Sequence, residues 1–282
     1  MNPDLAALPH WFVLAAAFFF GGSFGSFLNV CVGRWPKELS VVRPPSRCPR
    51  CGAGIAWYDN LPVFSWFALR GKCRGCALPI SPVYPLVELV VALIWVASAL
   101  HFGPSLTALR VAVFGTILLG VMLVDGATST IPDGFTVFGF FWGLILACVS
   151  YAEPSPFSGP LHGLNGAFVG AGSIAILGWL AESLLKREAM GFGDVTLMAM
   201  IGVYLGAERT LITFGLGAFL GAVFGIPMVL PRLWAKLRHG KDYEMLEVPF
   251  GVFLAPAAMI ALLWGNDILA WLRSHYPYLP QL

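Results

Sequence analysis

Eight apolar runs dominate this chain, at residues 11–32, 83–102, 107–126, 132–151, 162–185, 194–207, 210–231 and 251–272. A helix of about 20 such residues crosses the ~30 Å hydrocarbon core of a bilayer. No water-soluble core could enclose so many of them in 282 residues, 58% of which are hydrophobic and only 11% charged. The expected fold is therefore all-α and polytopic, with about eight transmembrane helices. The 194–207 run is short and closely followed by the next, so it is expected to tilt or to begin within the preceding loop. The N-terminal MNPDLAALPH lacks the basic region of a cleavable signal, and the first run is long enough to span, so it is expected to remain as the first helix. There is no basic arm for nucleic acid.

The basic residues give an orientation. Between the first and second runs stand Arg34, Lys37, Arg43, Arg47, Arg50, Arg70, Lys72 and Arg74, against only Glu38 and Asp59. Cytoplasmic loops carry such an excess. Alternating the spans from there puts Lys186 and Arg187 on the same side, and with them Arg232, Lys236, Arg238 and Lys241. Of the 17 basic residues only Arg110, Arg209 and Arg273 are left on or near the other side. Eight spans with both termini outside the cytoplasm satisfy the rule.

The first cytoplasmic loop carries CPRC and CRGC, two CxxC pairs separated by 21 residues. Cys48, Cys51, Cys73 and Cys76 can close a tetrahedral shell of thiolates around a structural zinc ion. A reducing cytoplasm disfavours two disulfides, and four reduced cysteines without metal are the plainer alternative. Arg47, Arg50, Lys72 and Arg74 would lower the thiol pKa values and partly offset the charge. Cys31 and Cys148 stand alone in apolar runs and read as small hydrophobic side chains.

An ionisable side chain inside a span costs about 2.5–3.5 kcal/mol on insertion scales, so each one calls for a reason. Glu88, Asp125, Asp133, Glu182 and Asp194 fall in or at the edges of spans. Asp125 ends the third span, Asp133 starts the fourth, and Asp194 opens the sixth within MGFGDVTLMAM. The topology brings Asp125 and Asp194 to one membrane face. Two carboxylates that met there would share a proton, one serving as general base on water while the other donates to a carbonyl oxygen. Gly191 and Gly193 permit backbone angles closed to other residues and let a substrate backbone approach. Capping alone is the plainer alternative for Asp194 after its glycine turn, and for Asp133 after Ile131-Pro132. It does not explain Asp125, whose charge opposes the dipole of the helix it ends. Glu88 fits packing, a loop arginine or substrate contact equally well, and Glu182 lies at ion-pair spacing from Lys186.

Some motifs mislead. GGSFG at Gly21–Gly25 matches GxSxG, but inside a membrane helix it is better read as GxxxG packing, as are Gly202/Gly206 and Gly217/Gly221/Gly225. The five scattered histidines hold no HExxH, which argues against a histidine-ligated metalloprotease. A proton-coupled transporter would use acids near the midplane, and these lie at one face. A zinc-organised assembly factor without catalysis would leave Asp125 unexplained.

GSFLNVCVGRWP, the paired CxxC loop, SPVYPLVEL, Asp125 with IPD after it, and GFGDVTLM occur in the order found in bacterial type IV prepilin peptidases. The chain resembles that family over nearly its whole length. The resemblance implies a GxGD-class membrane aspartic protease that removes the basic leader from type IV prepilins and type II secretion pseudopilins at the cytoplasmic face of the inner membrane. Asp125 and Asp194 would be catalytic, Gly191 and Gly193 the motif glycines, Asp133 an accessory acid, and the four cysteines the family's metal loop. It further implies N-methylation of the new N-terminus with S-adenosylmethionine as donor, although no glycine-rich nucleotide loop marks a donor site. Where the family usually has lysine two residues after the GxGD aspartate, this chain has Thr196. The expected partition is 1–102, with the cysteine loop at 33–82 between two helices, and a six-helix peptidase region at 103–282.

Overall fold

The computed structural model describes residues 9–149, 159–186, 190–239 and 249–276, and of residues 185, 228, 229 and 231–239 the backbone alone. Arg187 and Lys241, and the side chains of Arg232, Lys236 and Arg238, invoked above for orientation, lie outside the described residues. Helices in chain order are α1 His10–Arg34, the short α2 Phe64–Ala68, α3 Val83–Phe102, α4 Leu106–Thr128, α5 Asp133–Val149, α6 Gly159–Leu185, α7 Phe192–His239 and α8 Gly251–His275. Among the described residues the only β pairing is two isolated bridges in the cysteine loop. Among the described residues six helices are long and apolar enough to cross a membrane, and α5 is a shorter apolar helix.

The eight apolar runs all fall on described helices, two of them on α7, which is two helices and not one. Gly206 interrupts it with φ 74°, ψ 175°, a left-handed value that favours glycine. A methyl group on Gly170 of α6 would touch both the Met198 carbonyl and Thr210, at 2.9 Å from the Met198 carbonyl carbon and 2.9 Å from Thr210 Cγ2. Twelve residues of straight helix would hold those positions about 18 Å apart. The chain therefore doubles back at Gly206, and arms 192–205 and 207–239 form a hairpin that carries the runs at 194–207 and 210–231.

Two compact units divide the chain, Met1–Gly120 and Val121–Leu282, the boundary falling within α4. In the first, α1 and α3 pack antiparallel. A methyl group on Gly21 would fall 2.8 Å from the Ala92 Cα and one on Gly25 2.7 Å from the Glu88 Cα, while Asn29 donates to the Tyr84 carbonyl at 3.1 Å. Each step of four along α1 is matched by four back along α3. The GxxxG at Gly21 is thus a packing face. Trp95 donates to Thr116 Oγ1 at 3.1 Å, so the buried indole N–H is satisfied.

In the second unit α6 lies in the α7 hairpin, with Gly163 against Val203 and Gly166 against Gly202 and Gly206. Gly143 of α5 admits the Tyr204 ring, and Gly217 admits Leu254 of α8. Arg209, 6% exposed near the hairpin tip, donates to Asn266 Oδ1 at 2.7 Å, and Glu208 pairs with Arg273 at 2.6 Å. A buried guanidinium requires such a partner. The unit's other end carries the carboxylates.

Candidate active site and metal centre

Asp125 sits in the last turn of α4 and is 3% exposed. Its Oδ2 accepts the Val252 N–H at 3.2 Å, and a methyl group on Gly251 would lie 2.8 Å from the same oxygen. The unpaired N–H groups at the start of α8 are natural partners for a carboxylate, and only a residue without a side chain fits there. Past Asp125 the chain leaves its helix at Ser129, whose N–H still donates to the Asp125 carbonyl at 2.8 Å.

Asp194 opens α7 after the glycine turn. Its N–H donates to the Gly191 carbonyl at 3.1 Å, and Gly191 lies against its carboxylate. Asp125 and Asp194, 69 positions apart in the sequence, are close enough to interact electrostatically. Ile131 wedges the two turns: its side chain would meet a methyl on Gly193 at 3.0 Å and one on Gly251 at 3.2 Å. Gly193 is thus required by close approach. Thr196, at the position where lysine was expected, turns its hydroxyl back to the Gly193 carbonyl at 3.0 Å.

Asp133 stands exposed at the first position of α5, where Pro132 accepts the Phe135 N–H at 3.0 Å. Glu182 lines a cavity of about 250 Å³ together with Trp179, Met190, Gly191 and Phe192, beside the glycine turn. The described contact between Glu182 and Lys186 is a backbone one at 2.7 Å. Glu88 accepts the Val63 N–H at 2.7 Å, a partner that none of its expected roles included. Gly251 and Val252 were missed by sequence reasoning. The signal present was Pro249-Phe250-Gly251 at a helix start, but nothing local ties it to Asp125.

The four cysteines form one cluster, with all sulfurs within 4.8 Å of one another and Cys48 to Cys76 at 3.9 Å. A tetrahedron with zinc–sulfur bonds near 2.3 Å has edges of about 3.8 Å, so the donor set is compatible with a zinc site. Each half is the same hairpin shifted by 25 residues. Cys48 donates its N–H to Ala53 and accepts from Gly52, and Cys73 donates to Leu78 and accepts from Ala77, all at 2.9 Å. Bridges Arg47–Gly54 and Lys72–Pro79 close the two turns.

Without metal the thiols divide. The N–H groups of Cys51 and Arg50 draw the Cys48 thiol down to about 6. The Leu78 N–H pulls the same way on Cys76, but burial and its three thiol neighbours outweigh it and leave that group at about 11. On the same loop Arg74 grips Asp59 through two bonds of 2.7 and 2.6 Å and holds its carboxyl below the usual range. Cys31 is buried in α1 and Cys148 exposed on α5, both outside the cluster.

Residues 19–102 match the Bacterial Peptidase A24 N-terminal domain, and residues 112–226 match the Type IV leader peptidase family. A prepilin leader peptidase/N-methyltransferase of Myxococcus xanthus is 40% identical over 249 residues, covering 86% of this chain and 73% of its own length. Proteins of the same name from Aeromonas hydrophila, 32% identical over 94% of this chain and 96% of their own, and from Pseudomonas aeruginosa, 34% identical over 94% of each, are also similar. No solved structure matches the chain significantly. With relatives of this identity matching it along most of its length, and both family domains in order, the chain belongs to the type IV leader peptidase family.

Proposed function

We propose that Asp125 and Asp194 are the catalytic pair of this multi-pass inner-membrane enzyme, a prepilin leader peptidase and N-methyltransferase by family. The observation that carries the proposal is the convergence of two carboxylates, from α4 and α7, on a wedge of Ile131, Gly193 and Gly251. Water bound between the acids attacks the scissile carbonyl. The ionised aspartate takes the water's proton while the protonated one donates to the carbonyl oxygen, and collapse of the tetrahedral intermediate releases the new amine with a proton returned from the acid. No acyl-enzyme forms. Gly191 and Gly193 leave room for the substrate backbone, Asp133 supports from the start of α5, and the cavity beside Gly191 suits a substrate side chain.

Counting spans from the basic loop sets the aspartates and the cysteine loop at the cytoplasmic face, with both termini outside. Type IV prepilins and type II secretion pseudopilins are the substrates this layout suits. The apolar helix stays in the bilayer, the basic leader stays in the cytoplasm, and the bond between them is presented at the depth of the pair. Cys48, Cys51, Cys73 and Cys76 would hold a zinc ion that closes the two hairpins into one loop; its contribution is structural, since four thiolates leave no open position. Methyl transfer to the new N-terminus takes S-adenosylmethionine as donor.

The test is a purified-enzyme assay on a prepilin, read by intact mass. Wild type removes the leader, and with S-adenosylmethionine the product gains about 14 mass units. Folded Asp125→Asn and Asp194→Asn proteins leave the prepilin whole. Leader removal by either variant at a substantial rate would refute the assignment.

A further inference from the structure

Glu88 is an acid inside an apolar helix, hydrogen-bonded by the Ser26 side chain and by the Val63 N–H, and the second partner lies in an unusual place. Val63 has φ 64°, ψ −52°, and the Phe64 N–H bonds the Pro62 carbonyl at 2.6 Å. This is a tight three-residue turn of a strained kind, at a β-branched residue, which a left-handed φ suits badly.

The α1–α3 register fixes how deep this turn lies. Pro62 packs on Gly22, where an added methyl group would lie 2.9 Å from its Cβ. The Phe64 ring stacks on Phe19 at 6.0 Å and meets Phe18 edge-on at 6.4 Å. By the pairing of Gly21 with Ala92 and Gly25 with Glu88, Phe18 and Phe19 stand level with residues 94–95, eleven or twelve residues into α3. At 1.5 Å per residue that is about 17 Å along a helix whose whole length is about 30 Å. Pro62, against Gly22 and so level with residue 91, is about 12 Å along it, so a segment read from sequence as part of an aqueous loop lies well along the span, with the Phe64 ring deepest.

Its chemistry suits that depth. Residues 61–69, LPVFSWFAL, hold no charge and are bracketed by Asp59 and Arg70. In hydrocarbon every backbone polar group needs a partner. The Ser65 N–H and hydroxyl both bond the Leu61 carbonyl, at 3.1 and 2.6 Å, and the N–H groups of Leu69, Arg70 and Gly71 close on Ser65, Phe67 and Trp66. The Trp66 indole reaches back to the Ile80 carbonyl at 3.2 Å. Val63 is satisfied from outside the segment, by Glu88. One flank of the turn, Asn60 and Pro62, lines a cavity of about 380 Å³ with Ser23, Ser26 and Arg34. Phe64 and Phe67, 53% and 65% exposed, continue the apolar surface that α1 presents through Phe19 and Phe20.

We propose that residues 61–69 form a re-entrant turn inserted among the acyl chains of the leaflet next to the cysteine loop, with Phe64 and Phe67 against lipid and Glu88 as its positioning residue. The turn ties the loop to the bilayer at a fixed depth. This reading rests on the fold and not on the peptidase assignment.

The test places 4-trifluoromethylphenylalanine singly at Phe64 or Phe67 in the full-length protein in lipid nanodiscs, with Phe20 as lipid-side and Tyr58 as water-side references. Fluorine relaxation by dissolved oxygen is compared with that by a water-soluble gadolinium chelate. Ratios at Phe64 and Phe67 matching Phe20 are expected; ratios matching Tyr58 would overturn the insertion. Glu88→Ala should shift the Phe67 ratio towards Tyr58 while Glu88→Gln, which keeps an acceptor, restores it. No shift in Glu88→Ala would overturn the positioning role, and if that variant does not fold, the wild-type ratios still decide the insertion. Benzoylphenylalanine at Phe67, irradiated in membranes holding prepilin, should link to lipid; capture of the prepilin instead would overturn lipid as the occupant.

Discussion

The cysteine cluster and the aspartate pair are assembled in opposite ways. The cysteines come from two copies of one hairpin, each closed by its own backbone bonds within ten residues. The aspartates come from the end of α4 and the start of α7, and are held by Ile131 and by Gly251 of α8. A locally built site tolerates change elsewhere in the fold. A site set by four distant pieces transmits every displacement to the reacting atoms, where a 1 Å shift can cost about 10²-fold.

This contrast ranks the expected effects. Asparagine at Asp125 or Asp194 is the largest: leader removal should fall by at least ~10³-fold with helical content unchanged by circular dichroism. Gly251→Leu comes next. Its side chain must occupy the space against the Asp125 carboxylate, so kcat should drop by about 10–100-fold while KM for prepilin changes little. A normal kcat in Gly251→Leu would show that α8 does not position Asp125.

Cys73→Ser should act on the other region. Bound zinc, measured by elemental analysis, should fall from one ion to none, and the loop should become protease-sensitive. Zinc affinity should also rise with pH. The Cys76 thiol is pushed up to about 11 by burial and its thiol neighbours, so it must give up a proton to bind metal at neutral pH, and binding is opposed as pH falls. An affinity flat between pH 6.5 and 8.5, read by competition with a chelator, would contradict metal binding through Cys76. The smallest effect belongs to Asp59→Asn. The Asp59–Arg74 pair is on the surface, and because Asp59 is held below its usual range its contribution is present at neutral pH and fades as acid protonates it. Only a slight lowering of Tm at neutral pH is expected, and none in strong acid.

What the sequence revealed follows the same division. The CxxC spacing is local information, and it marked all four members of the cluster. Asp125 and Asp194 were legible because an acid in an apolar run is costly and span counting brings them to one face. Gly251, Val252 and Ile131 were not legible, since their role is to touch groups more than a hundred residues away or to fill a gap between turns. The run at 194–207 looked too short for a span; the turn at Gly206, packed against His162, is what ends it. Glu88 was ambiguous because one of its partners is a backbone N–H in a turn whose depth only the α1–α3 register sets.

The most direct test of the central claim is the rate of leader removal by Asp125→Asn, Asp194→Asn and the double variant on one prepilin in nanodiscs. If the two acids act as one unit on one water, the double variant is no slower than either single one. A double variant slowed by the product of the two single effects, or a single variant that still removes the leader at a rate near wild type, would contradict the account.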